Sequence, residues 1–424
     1  MEPEIVNKKA TRIDSIDLLR GIVMVVMMLD HTRDFVHSAA YQFDPTDLSQ
    51  TNVALFFTRW ITHFCAPIFV FLAGTGAYLQ FARGKSKRDL SRFLITRGLW
   101  LVLLEFTLVR FGATFGLDYT SQGLMMQVIW VIGVSMIVLA VLIHLPLRVV
   151  AGFGILMIAL HNLLDRFHVE GWRPPDGPVP SYGAKLFIIL HQPFELFPSA
   201  GLRSPWLFVL YPLIPWIGVM AAGYAFGAIY KFDAARRREL LLRLGTVATL
   251  LFVVLRAINI YGDSSHWSRQ STTAFTLLSF LNTSKYPPSL LFLLMTLGPA
   301  LLVLARFESS SEVNNAKPSY TAGLLRRHRM RNCFVTFGRV PLFFYLLQWP
   351  MAHLIAVALH FAAGKPWRWM LGSMPGGVVP PPGVGFNLAV VYACWLVGVL
   401  LLYPLCRWFA GVKARRRDWW LSYL

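Results

Sequence analysis

Asp30 and His31 are adjacent in the first apolar run of the chain, His63 lies in the second and Glu105 in the third. Ionisable side chains at membrane depth are costly and mark function by default. At about 1.5 Å per helical residue, Asp30 and His31 fall roughly 20 Å from the face where their run begins. His63 falls roughly 15 Å below the opposite face, and Glu105 roughly 20 Å from the first face. Three helices are thereby predicted to bring imidazole, imidazole and carboxylate to similar heights. A histidine can take a proton from a hydroxyl or amine nucleophile, and a neighbouring carboxylate orients the ring and stabilises the imidazolium. Acyl transfer by a general base, or through an acyl-imidazole, suits these residues better than metal hydrolysis, and the sequence contains neither GxSxG nor HExxH.

Each residue also has a plainer reading. His31 could be a core histidine bonded to a carbonyl, although Asp30 and Arg33 beside it count against that. His63 shares a helix face with Arg59 at i, i+4 and could pack at the interface. Glu105 could neutralise Arg97 or Arg110. His37, at the end of the first run, reads as a surface residue. His161, Arg256 and His353 lie away from this cluster, and snorkelling explains those near helix ends. A transporter could use His31, Glu105 and His63 as a proton relay, but such proteins commonly have duplicated halves with matching broken helices. Neither the Asp17-Leu-Leu-Arg-Gly21 run nor the Pro67 to Gly74 segment recurs in the second half. A non-catalytic scaffold or sensor would leave the agreement in depth unexplained.

The elements that must hold these residues are apolar helices. Of 424 residues, 56% are hydrophobic and 14% charged, with mean hydropathy +0.53. Soluble domains carry roughly a quarter charged residues. This composition excludes a water-soluble enzyme, a disordered tail and a simple nucleic-acid binder. The fold expected is an all-α polytopic membrane helix bundle with about ten transmembrane helices. The stretches are 17–36, 53–81, 92–115, 123–144, 147–164, 206–229, 241–260, 287–306, 333–362 and 385–408. The ninth is long enough to be two pieces, and 184–198, interrupted by Pro193, reads as a re-entrant or surface helix rather than a crossing. The net charge of +19 is dispersed in short clusters between apolar runs, which is membrane topology rather than a nucleic-acid patch. The positive-inside rule then places both termini in the cytoplasm, with 1–16 as an N-terminal segment, 307–332 as a cytoplasmic loop and 409–424 as a basic tail. The transmembrane domain spans 17–408, with long outer loops at 165–205 and 261–286. Trp172, Tyr182, Trp206 and Trp267 border those loops, as an interfacial belt or as a sugar-stacking surface. The four cysteines lie in or beside apolar runs with no metal-binding spacing, and no cleaved signal peptide is expected.

Several segments resemble a known signature. The run Ile16-Asp17-Leu18-Leu19-Arg20-Gly21 is similar to the (I/L)DxxRG opening of integral-membrane acyltransferases, with His31 fourteen residues after Asp17. Ala66-Pro-Ile-Phe-Val-Phe-Leu-Ala-Gly74 resembles their P-x-F-x-F-L-x-G segment, and Arg92 and Arg97 open the third helix like the arginine-bearing stretch of those enzymes. The combination looks most like the bacterial branch related to heparan-α-glucosaminide N-acetyltransferase, with acyltransferase-3 more distant. Tyr211 to Gly218, Lys285 to Ser289 and Phe337 to Tyr345 also resemble segments of that branch. In the heparan enzymes the catalytic histidine falls in the loop after helix 1, with Asn at the position of His31. Here His31 itself is present, as in acyltransferase-3.

The resemblance implies acetyl-CoA, or another acyl-CoA, as donor from the cytosol and an extracytoplasmic glycan amine or hydroxyl as acceptor. No metal is implied. Arg83, Lys85, Lys87, Arg88, Arg92 and Arg97 form a basic cluster able to hold the phosphates of CoA, with topology alone as the plainer reading. Asp17 and Arg20 are expected to pair and to shape the CoA channel. His31 would serve as base or acyl carrier, oriented by Asp30 or Glu105, with His63 helping at an acceptor that approaches beneath the two long outer loops. The expected partners are the lipid bilayer of the cell (inner) membrane, acyl-CoA and the glycan, with no nucleic acid. A homodimer is compatible with this reading.

Overall fold

The computed structural model describes residues 13–119, 124–170, 180–197, 207–313, 322–372, 380–416 and 418–424. Trp172, Trp206, Lys8, Lys9, Arg12, Arg417 and parts of the 165–205 and 307–332 loops lie outside the described residues.

The chain is an all-α bundle with one small sheet. Helix α1 (Asp14–Val36) runs through its centre. There follow α2 (Val53–Trp60), a tight turn at Ile61–Phe64, and α3 (Cys65–Ala82). Helix α4 (Lys87–Leu104) continues through a wide turn at Glu105–Val109 into α5 (Arg110–Thr114). Next come β1 (Leu124–Met126), α6 (Val128–Leu142), α7 (Leu147–Leu160), α8 (Tyr182–Leu190), β2 (Phe194–Phe197) and β3 (Leu207–Val209). The remainder is α9 (Leu213–Phe226), α10 (Ala234–Ile258), α11 (Thr273–Leu281), α12 (Leu290–Val313), α13 (Ala322–Arg339), α14 (Pro341–Ala362) and α15 (Leu388–Arg415).

Among the described residues, seven helical stretches are long and apolar enough to cross a membrane: Val53–Ala82, Leu147–Arg166, Leu213–Lys231, Ala234–Ile258, Leu290–Glu308, Pro341–Ala362 and Leu388–Arg415. Every one of the ten apolar stretches contains helix. The three outside this set are α1 and α4, which carry the charges expected to do chemistry, and α6, which has only 15 residues. The ninth stretch is two helices, because Pro341 has no N–H to continue α13 and begins α14 instead. The 184–198 region contains the nine-residue α8 followed by β2, and at 1.5 Å per residue α8 is too short to cross. The sheet was not expected: β3 pairs parallel with β1 and antiparallel with β2, tying the entrances of α6 and α9 together.

Large apolar side chains face outward, among them Leu400 (72% exposed) and Val247 (63%), a surface suited to lipid. Between helices the packing uses small residues, which let backbones approach where no hydrophobic force drives association. A Cβ at Gly74 of α3 would stand 2.1 Å from the Met220 carbonyl oxygen of α9, and one at Gly223 of α9 2.1 Å from that of Phe71. Gly21 and Gly338 do the same for α1 against α13, which gives the glycine of the Arg20-Gly21 motif a packing role. At the Asp14 end, buried Glu308 accepts from Arg237 Nε at 2.8 Å and from Ser15, locking α1, α10 and α12.

Candidate active site

Two cavities lie end to end inside the bundle. The first, about 290 Å3, is walled mainly by apolar residues of α1, α3, α4 and α6 and carries Arg20, Arg97 and Gln80. Arg20 Nη1 sits 3.4 Å from Asp17 Oδ1, so one side chain pairs with Asp17 and lines the cavity. Arg97 donates to the Ser422 carbonyl, and Thr96 Oγ1 and Tyr423 Oη lie 2.7 Å apart, so the turn Trp419–Tyr423 covers this end. Arg88 and Arg92 are exposed on α4 and do not reach the cavity.

The second cavity, about 280 Å3, is polar. Asp30, His31, Arg33 and Asp34 enter it from the last turns of α1, and Arg59 from α2. Asp30 is held by two guanidiniums, Arg59 Nη1 at 2.5 Å and Arg33 Nη2 at 3.0 Å. Arg33 also reaches Asp34 at 2.5 Å. The His31 ring packs on Trp349 of α14 with centroids 3.9 Å apart. The carboxylate nearest its Nδ1 is that of Asp34, at 4.0 Å. That is too long for a hydrogen bond but short enough to stabilise a charged imidazolium. Met27, Phe69, Val128 and Tyr345 line both cavities. Met27 is four residues before His31, so the imidazole stands one helical turn from this shared wall on the same face of α1. Phe69 is the first aromatic of the P-x-F-x-F-L-x-G segment, which explains that motif's phenylalanine and, through Gly74, its glycine.

His63 and Glu105 do not join this cavity. The tight turn at Ile61–Phe64 directs His63 against Phe292 of α12, with ring centroids 5.4 Å apart. The wide turn at Glu105–Val109 aims Glu105 at the start of α6. There its Oε2 accepts the backbone N–H groups of Ile129 (3.1 Å) and Trp130 (3.0 Å), a carboxylate on a helix N-terminus. His31, His63 and Glu105, expected at similar depth, therefore occupy three separate places. The buried His37 accepts the Ala39 N–H on its Nδ1. Buried Arg256 does not snorkel but donates to four backbone carbonyls.

A vestibule of about 380 Å3, lined by Gln42, Phe43, Asp44 and Pro45, shares Arg33, Asp34, Ala40 and Arg59 with the polar cavity. The segment after α1 thus lines the space next to the polar cavity. The 261–286 loop contributes only its last two residues, Lys285 and Tyr286, and the described part of 165–205 contributes none. Tyr182 is fully exposed, whereas Trp267 donates its indole N–H to the Arg256 carbonyl and serves the loop's structure. Composition left Asp34, Lys285, Tyr286, Tyr345 and Trp349 unread as site residues. Three of them stand in the Lys285 and Phe337 segments, where the resemblance was the available signal.

A family model described as heparan-alpha-glucosaminide N-acetyltransferase, catalytic, matches residues 12–265. The chain belongs to that family. It is a multi-pass membrane protein of an acyltransferase family. No curated protein matches it. The part matched to the N-acetyltransferase family supplies α1 to α10, hence both arginines of the first cavity and the charged cluster of the second. Lys285, Tyr286, Pro341, Leu342, Tyr345, Trp349 and Ser422 complete the walls from beyond it.

Proposed function

We propose that the protein moves an acetyl group from acetyl-CoA, bound in the arginine-bearing cavity, to a glycan hydroxyl or amine in the polar cavity. The observation that carries this reading is the shared lining: an apolar cavity that bears two arginines adjoins, at Met27, the cavity whose histidine stands one helical turn further along α1. With the basic clusters on the cytoplasmic side, Arg20 and Arg97 face the cytosol. A phosphate-bearing donor would be held there by charge-assisted hydrogen bonds, with its arm along the apolar wall. His31 takes the proton of the acceptor as its oxygen or nitrogen bonds to the thioester carbonyl carbon. The carbon–sulfur bond breaks, and the imidazolium returns that proton to the departing thiolate. Asp34 offers its second oxygen 4.0 Å from the ring while the first pairs with Arg33, and the adjacent Asp30 adds its charge to the support of the imidazolium.

The test is His31→Ala. A general base contributes about 10²–10⁴-fold, so transfer of radiolabelled acetyl should fall by that factor. Thermal stabilisation by acetyl-CoA should persist, because the variant leaves the first cavity intact. Transfer at the native rate would remove His31 from the chemistry.

A further inference from the structure

Lys285 is a buried cation that this mechanism leaves unused. It is nine-tenths buried in the turn between α11 and α12 and lines the polar cavity. That turn is pinned. Asp263 accepts the Ser284 N–H at 2.9 Å, the Ser284 hydroxyl at 2.8 Å and the Ser289 hydroxyl at 2.6 Å. The Asn162 side chain accepts the Leu290 N–H at 2.9 Å. The Lys285 ammonium lies 5.1 Å from the Tyr286 ring centroid, and among the described residues it has no carboxylate within ion-pair distance. The other two cations of the cavity, Arg33 and Arg59, are matched by Asp30 and Asp34. Among the side chains that line this cavity, three cations therefore face two carboxylates.

An ammonium that faces a cavity inside the bundle without a carboxylate at ion-pair distance is stabilised when a ligand brings the opposite charge. We propose that the polar cavity takes an acceptor bearing an anionic oxygen group, a carboxylate or phosphate ester, which pairs with Lys285 while the acylated atom faces His31. This rests on the acyl-transfer reading and adds the acceptor class to it. A protonated amine at the same place would add a second charge of the same sign, so the recognised group is acidic. Tyr211 and Tyr286, edge to face with centroids 5.2 Å apart, offer apolar ring surface beside the ammonium.

The experiment uses the full chain in detergent with four probes: glucuronate, glucose 6-phosphate, glucose and glucosamine. Their dissociation constants are read from ligand-dependent thermal shifts. At least one acidic probe should bind about tenfold or more tighter than glucose, the scale of one partly desolvated ion pair. Lys285→Met should collapse that ratio to about one, and Lys285→Arg should keep most of it. Equal binding of acids and glucose, glucosamine binding tightest, or an unchanged preference in Lys285→Met would each overturn the proposal. Should Lys285→Met not fold, the wild-type rank order decides alone. Acetyl transfer is measured separately. An acid preference without any transfer keeps the Lys285 subsite and refutes the acyl-transfer reading, whereas transfer without the preference refutes only the subsite.

Discussion

Gly76 offers a way to fill the first cavity without disturbing the helices around it. It lies in the interior of α3 and lines that cavity, and a Cβ built there meets no atom within 4 Å. Gly76→Ala should therefore raise stability by about 0.5–1 kcal/mol, the ordinary gain of replacing glycine inside a helix. Gly76→Phe adds a ring to a space of about 290 Å3. An engineered cavity of about 150 Å3 accommodates benzene, so the ring claims roughly half the volume. A thioester arm displaced by even 1 Å can cost about 100-fold, and acetyl transfer should fall at least that far. The unfolding temperature should stay at or above that of the parent. Two residues earlier, Gly74→Ala is the contrasting case. Its Cβ would lie 2.1 Å from the Met220 carbonyl oxygen, so α3 and α9 must separate, at about 1–3 kcal/mol or more. The assay pairs acetyl-CoA-dependent thermal shift with radiolabelled transfer in detergent. A Gly76→Phe protein with native rate and native KM for acetyl-CoA would show that the donor does not use this cavity.

Two further outcomes follow from the loops that shape the polar cavity. Arg256 donates to the carbonyls of Ser265 (2.7 Å), Phe280 (2.9 Å), Ser279 (3.0 Å) and Asn282 (2.6 Å). Arg256→Leu leaves four carbonyls without their donor and should destabilise the protein by about 3 kcal/mol or more, at about 1–3 kcal/mol for each acceptor left buried, and Arg256→Lys should not restore it, since an ammonium lacks the planar fork that spans four acceptors. Thermal unfolding in detergent checks this, and a Leu variant melting with the parent would contradict it. In the 37–52 segment, the Ser49 hydroxyl, the Gln50 amide and the Ser49 N–H hold the Asp47 carboxyl below its usual range. A depressed folded pKa contributes stability above the unfolded value near ~3.9 and loses it as pH falls through the folded value. Asp47→Ala should accordingly melt below wild type at pH 6, with the gap closing on acidification below ~3.9. A gap independent of pH would assign it to packing instead.

Composition and periodicity alone made the helical, membrane-embedded character legible, because a stretch of apolar residues long enough to span hydrocarbon has few other ways to satisfy its backbone. The same reading located the apolar stretches that became helices and picked out Asp30, His31, Arg20 and Arg97, since a charge inside such a run stands out at any register. Residue types could not reveal where those charges point. A depth estimate gives height along a helix but not azimuth. The local turns at Ile61–Phe64 and Glu105–Val109 rotate His63 and Glu105 to other partners, leaving Asp30 and His31 in the cavity. Lys285 and Trp349 approach His31 from α11–α14, more than two hundred residues away in the chain. What the linear order determined was the apolar spans and the cost of each charge within them. Tertiary packing, set by glycine contacts between backbones, decided which of those charges meet and which residues line both cavities.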